Sequence, residues 1–150
     1  MRFPWMEWFM NRCSGICSGL LVFVLVLPVC LETIAQRYQF DPLLLQAIIK
    51  VESGGRPDAL NHNHDGSWDI GLMQINSRWW AGRIAPQRLF EPCTNMEWGA
   101  SILELARLRV GARWQAVGQY HGGSVHEQMR YMRTVFMAWK SLSMQRSISN

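Results

Sequence analysis

The stretch "EPCTNMEWGASILELARLRVG" (91–111) constrains the chain most, because it can only be a helix. Thr94 or Asn95 offers an N-cap, and Glu97 completes a T-x-x-E capping box with Thr94. Met96, Ala100, Leu103 and Arg107 fall on one row, while Trp98, Ile102, Leu105 and Leu108 make an apolar stripe. Gly111 closes the segment. The same periodicity predicts helices over 31–39, 42–52, 112–120 and 125–141; the last has Met129, Met132, Phe136 and Trp139 spaced for one face. Strand signals are almost absent. Residues 53–68 are rich in Gly, Asn, Asp and His and read as a long loop, and "DIGLMQIN" (69–76) reads as a turn of helix or a short extended piece. The expected fold is a mainly α, compact domain with few or no strands.

With 150 residues, 49% of them hydrophobic and 17% charged, the chain fits one packed domain and excludes bulk disorder. The net charge of +4 would suit an acidic polymer. Its Lys and Arg residues are scattered, so no nucleic-acid partner is expected.

The first 29 residues differ in character. Arg2 and Arg12 precede a continuous apolar run from Leu20 to Leu27, the layout of a secretory signal peptide or an N-terminal membrane anchor. That run is shorter than the ~20 residues of a comfortable membrane span. Met10 offers an alternative start, with a tighter basic lead at Asn11-Arg12. No A-x-A site precedes Cys30, and "LPVC" has bulky Val29 where a lipidation box wants a small residue. Cleavage, retention and lipidation stay open, and the expected mature domain is 30–150. Cys13 and Cys17 belong to the leader. Cys30 and Cys93 remain, and in an oxidising compartment they pair naturally; two separate thiols are the alternative. Such a bridge would contribute ~4 kcal/mol by chain-entropy reasoning.

Glu52 is the residue out of place. Asp41-Pro42 opens its helix, Gly54-Gly55 ends it, and Leu45, Ile48 and Ile49 share its face. Apolar neighbours and the negative end of the helix dipole both favour the protonated acid. An acid still protonated near neutrality can protonate a leaving oxygen, the general-acid role in glycoside cleavage. An ordinary Glu at a frayed helix end, paired with Arg56, is the competing account.

Three ordered motifs, "KVESGGRPDALN", "DIGLMQINSRWW" and "AVGQYHGGS", resemble those of the lytic transglycosylases, which share a lysozyme-like fold. The resemblance spans about 37–125. "HDGSWDIGLMQIN" and "LFEPCTN" resemble more narrowly the small members that accompany type III and type IV secretion, conjugation and pilus systems. The resemblance implies that Glu52 is the single catalytic residue. It implies a substrate-binding set of Ser53, Gly71, Met73, Gln74, Tyr120 and His121. Gly71 would let the backbone approach a sugar, Met73 would offer an apolar surface, and Gln74 a donor and an acceptor. Tyr120 would bond Glu52 or an N-acetyl group. His121 departs from the Asn of many members and bears on the pH profile. The implied partners are peptidoglycan glycan strands and components of such an apparatus, with no cofactor. The implied location is the periplasm, with possible inner-membrane anchoring.

Other residues bear on the same chemistry. Asp58, Asp65 and Asp69 are candidates for a second carboxylate. Asn61, Asn63, Asp65, Gly66 and Asp69 echo a calcium loop, but Leu72 holds the place of its bidentate Glu. His62 and His64 lack a clear third ligand, so no metal is expected. Trp68, Trp79 and Trp80 flank the "GLMQIN" segment and could stack on sugar rings. The function expected is a peptidoglycan lytic transglycosylase. A hydrolytic muramidase of the same fold and an inactive wall-binding subunit are the rivals.

Overall fold

The computed structural model describes the backbone of residues 19–149 and the side chains of 28–148. Residues 1–18, which hold most of the expected leader, lie outside the described residues. Helix α1 runs Gly19–Tyr38 through Pro28, so the apolar run and the predicted 31–39 segment are one element. Among the described residues, no helix is long and apolar enough to cross a membrane.

Helix α2, Pro42–Ser53, follows its local chemistry closely. Asp41 accepts a hydrogen bond from the Leu43 amide at 2.9 Å, and Pro42 occupies the first turn. Gly54 ends the helix in a left-handed conformation (φ 65°), its amide bonded to the Lys50 carbonyl. Leu44, Leu45, Ala47, Ile48 and Ile49 are buried.

A small antiparallel sheet spans the segment read as a loop and the one after it, whose extended alternative the structure takes at 69–70 and 75–76. Its strands are β1 (Leu60–His62), β2 (Trp68–Ile70) and β3 (Ile75–Asn76), in that order. Leu60 pairs with Ile70, His62 with Trp68, and Asp69 with Asn76. These strands are too short to show alternation, and side-chain hydrogen bonds among polar residues hold them. Asn63 Nδ2 donates to Asp69 Oδ2 at 2.8 Å, and Asn76 Nδ2 donates to Asp69 Oδ1 at 2.7 Å.

A short helix α3 (Ser77–Trp80) and a 3-10 turn (Pro86–Phe90) lead to α4, Pro92–Val110. The capping-box reading of α4 is corrected. Pro92 sits in the first turn with Glu91 at the cap, so Thr94 and Glu97 lie inside the helix. Glu97 accepts from Arg37 at 2.8 Å and Tyr38 at 2.9 Å, tying α4 to α1. Asn95 is fully buried and holds the chain around it. It accepts from the Met73 amide and donates to the carbonyls of Ile70 and Leu89. The core row of α4 is Met96, Ala100 and Leu103, joined by Ile102; Leu105 and Leu108 face outward. A disulfide joins Cys30 to Cys93, and with them α1 to α4, at a Cα separation of 5.6 Å.

Helix α5, Arg113–His121, stops at Gly122-Gly123 as the sequence predicts, and the last helix, α6, runs Val125–Ser149. Of the four residues expected on one face of α6, Met132 and Trp139 pack against the core and the other two do not. Tyr131 and Val135 are buried, whereas Met129 and Phe136 are exposed. Helix α6 packs along α2 and α5, and Trp139 Nε1 donates to Asp41 Oδ2 at 2.6 Å.

Candidate active site

A cleft of about 720 Å³ separates the end of α2 and the end of α5 from the small sheet. Glu52, Tyr120 and His121 line one side; Asn63, Asp69 and Asn76 line the other. Glu52 reaches it from the last turn of α2, whose Leu45, Ile48 and Ile49 are buried in the core. Its carboxyl is pushed up to about 7. Burial away from water is the main cause, and the negative field of Asp69 adds to it. One hydrogen bond opposes the rise: the Tyr131 hydroxyl donates to Glu52 Oε1 in a short contact. Burial and the adjacent acid raise the Tyr131 phenol far above its ordinary value, so it remains a donor. The His121 ring stacks flat on Tyr131, with centroids 4.5 Å apart and planes 8° from parallel.

Tyr131 is the site residue that the sequence reading missed. Tyr120 sits beside Glu52 but its hydroxyl donates to the Met73 carbonyl at 2.7 Å. Tyr120 thereby clamps α5 onto the turn after β2, and burial raises its own phenol well above normal. The signal for Tyr131 is present in the sequence. Tyr131, Val135, Ala138 and Leu142 recur at i, i+4, i+7 and i+11, and Tyr131 is the one polar-tipped member of that row.

The other expected residues divide into those at the cleft and those beneath it. Gln74 lines the cleft at φ 48°, a left-handed conformation held by its own side chain, which donates to the Gly71 carbonyl at 2.9 Å. Met73 is wholly buried and offers no surface to a sugar. Its sulfur lies so close to Gly99 that a Cβ there would stand 2.3 Å away. Gly71 is required for packing: at φ 76°, a Cβ would meet Asn95 Nδ2 at 2.3 Å and the Leu89 carbonyl at 2.5 Å. Ser53 is buried too, and its hydroxyl donates to the Leu72 carbonyl at 2.8 Å, fixing the end of α2 against the turn. These three residues build the wall that the cleft residues stand on.

Of the candidate second carboxylates, Asp65 and Asp69 border the cleft. Asp65 lies on the exposed rim, where hydrogen bonds from Ser67, and then Arg78, hold its carboxyl below the usual range. Both oxygens of Asp69 accept amide hydrogen bonds. The residues that echoed a calcium loop are thus engaged with one another: Asn61 donates to Asn63, which donates to Ser67 and Asp69. Trp79 lines the cleft; Trp80 donates to the Ile75 carbonyl, and Trp68 packs on His62.

A helical domain with one partly buried acid at the end of a core helix, facing a polar cleft, has the architecture of the lysozyme-like class. Residues 29–135 match the model of the Transglycosylase SLT domain family, and the chain belongs to that family. It is 35% identical to Invasion protein IagB of Salmonella typhimurium (strain SL1344), over 71% of this chain and 72% of that one. It is 28% identical to Protein IpgF of Shigella flexneri, over 81% of this chain and 86% of the relative. An X polypeptide of Escherichia coli is 35% identical over 78% of this chain and 70% of its own length.

Proposed function

We propose that the protein is a peptidoglycan lytic transglycosylase. It cleaves the β-1,4 bond between N-acetylmuramic acid and N-acetylglucosamine and leaves a 1,6-anhydro end. The observation that carries this reading is Glu52, an acid held at about 7 by burial at the wall of a glycan-sized cleft. Protonated, it gives its hydrogen to the glycosidic oxygen as the bond breaks. The sugar's own 2-acetamido oxygen supports the anomeric carbon, so a second carboxylate is not needed at that face. Glu52, now ionised, takes the proton of the C6 hydroxyl, whose oxygen closes the anhydro ring. The acid regains its starting state, and no water enters. Tyr131 orients the carboxyl throughout, and the Asn61 amide, which gives one hydrogen to Asn63, has a second to offer a sugar hydroxyl or N-acetyl group.

Asp69 favours a second reading. Its charge is felt at Glu52, which places two carboxylates in one cleft, as a hydrolytic muramidase requires. The bonds from Asn63 and Asn76 to both its oxygens weigh against a nucleophilic role.

One digestion of purified sacculi decides among the readings. A transglycosylase releases muropeptides one water lighter than those from hydrolysis, which mass spectrometry separates. Glu52→Gln abolishes release under either enzymatic reading. Undiminished release by that variant would sink both, and no release by the wild-type protein would leave a wall-binding subunit.

We propose further that the protein is exported to the periplasm, cleaved or anchored through residues 1–29, and opens the wall locally for a secretion, conjugation or pilus apparatus. The match to a relative named an invasion protein supports this assignment. N-terminal sequencing of protein recovered from the periplasm tests the export.

A further inference from the structure

Helix α6 is apolar on two sides, and only one of them is buried. The inner side carries Tyr131 and Val135. The outer side carries Val125, Met129, Phe136, Met137 and Met144, exposed by 73%, 58%, 42%, 59% and 57%. On a helical wheel these five fall within about a third of the circumference. Arg133 and Lys140 interleave with them, both exposed. Trp114 of α5 extends the strip sideways: its ring meets Phe136 edge-on at 5.4 Å and is 37% exposed. Such a row of large apolar side chains is costly to leave in water and marks a contact surface.

The charges around the strip say what it contacts. Beyond Glu104 the sequence contains a single acid, Glu127. That carboxylate is engaged by the backbone amide and hydroxyl of Ser124 at the start of α6. Arg113 adjoins Trp114, and Arg109 lies at the end of α4. None of Arg109, Arg113, Arg133 and Lys140 is in an ion pair among the described residues. A second copy of this surface would bring cations against cations. A protein partner would need an acidic rim around an apolar strip. Indole and phenyl rings beside Arg and Lys, with methionines between, instead match the headgroup layer of an anionic bilayer.

We infer that the outer face of α6, with Trp114, docks flat on the surface of a membrane containing anionic phospholipid. This inference is independent of the catalytic reading, since none of these residues lines the cleft.

Flotation of the full chain tests it, using vesicles of phosphatidylglycerol mixed with phosphatidylcholine and vesicles of phosphatidylcholine alone. The apolar Leu20–Leu27 run is common to every protein compared, so the variants report on α6 alone. Wild-type protein floats with the anionic vesicles, and raised salt weakens the binding. Arg133→Gln with Lys140→Gln lowers partition about 25-fold, from roughly fivefold per cation near an anionic surface. Phe136→Ser with Met137→Ser lowers partition to both vesicle types. All four positions are exposed, and unchanged thermal unfolding verifies that the variants fold. Partition that ignores both pairs of substitutions overturns the inference. So does concentration-dependent dimerisation, in sedimentation equilibrium, that the Phe136/Met137 pair abolishes, because it assigns the face to a second copy. Binding to sacculi that the charge pair abolishes while vesicle binding persists unchanged overturns it too, because it assigns the cations to the wall.

Discussion

Two carboxylates of the same cleft stand on opposite walls and meet opposite fates. Glu52 ends a helix whose Leu45, Ile48 and Ile49 are buried, has one hydrogen-bond donor, and is pushed up to about 7. Asp65 lies in a polar turn, accepts the Ser67 amide and the Arg78 guanidinium, and is held below its ordinary value. The difference teaches that the protein sorts its acids by wall. The helical wall withholds water and donors, so an acid there keeps its proton. The sheet wall supplies Asp65 with donors from Ser67 and Arg78, so that acid gives its proton up. The chemistry of the cleft is a consequence of which secondary structure faces which.

The comparison breaks first at Glu52. Glu52→Gln keeps the shape and hydrogen-bonding reach but has no proton to give. Muropeptide release falls at least about 10³-fold, the upper part of the range for general-acid loss. In the wild type, the proposed role of Glu52 requires that release decline as pH rises through about 7, because its carboxyl ionises there. Stability gives the next largest effect. Folding raises the Glu52 pKa from 4.5 to about 7, so the folded state holds the proton more tightly. The stabilisation is fully present below 4.5 and is lost as pH climbs through 7. Between pH 5 and 8 this one group removes about 2 kcal/mol from the wild type. Urea unfolding of the wild type and Glu52→Gln at both pH values isolates it, since every other titrating group is common to the pair. Equal pH dependence of the two proteins would show Glu52 ionising like a solvated acid.

What the sequence makes legible follows the same division. Helix α2 and the place of Glu52 are readable because capping by Asp41, Pro42 and Gly54 is local chemistry, complete within its own dozen residues. The sheet is only half legible, as an extended alternative over 69–76 with β1 missed, because Asn63, Asp69 and Asn76 brace it through side-chain bonds that leave no alternation in the sequence. Gly71 and Met73 stand out as special, but their reasons lie in Asn95 and Gly99, more than twenty residues onward. Tyr131 escapes notice because α6 carries two apolar rows of equal regularity. Periodicity alone does not tell Met129 and Phe136 from Tyr131 and Val135, and only the packing of α2 on α6 decides between them.

The two remaining predictions move the Glu52 pKa in opposite directions. Tyr131→Phe removes the donor that favours the ionised carboxyl, so the alkaline limb of the pH profile shifts upward. Release at neutral pH also falls about tenfold as the acid loses its fixed orientation. A lower rate with an unmoved limb would mean that Tyr131 only packs.

Asp69→Asn is the smallest perturbation and the most discriminating. Neutralising that side chain removes a field that raises Glu52, so the limb shifts toward acid, by less than Tyr131→Phe moves it the other way. The substituted amide keeps one acceptor oxygen, so one of the bonds from Asn63 and Asn76 survives, while its NH2 faces the other amide donor. Modest loss of release with anhydro products retained fits a cleft in which Asp69 is a fixed charge across from one working acid. Loss as complete as that of Glu52→Gln would mean that both walls supply a catalytic carboxylate. The division of labour between helix and sheet would then have to be redrawn as that of a two-carboxylate hydrolase.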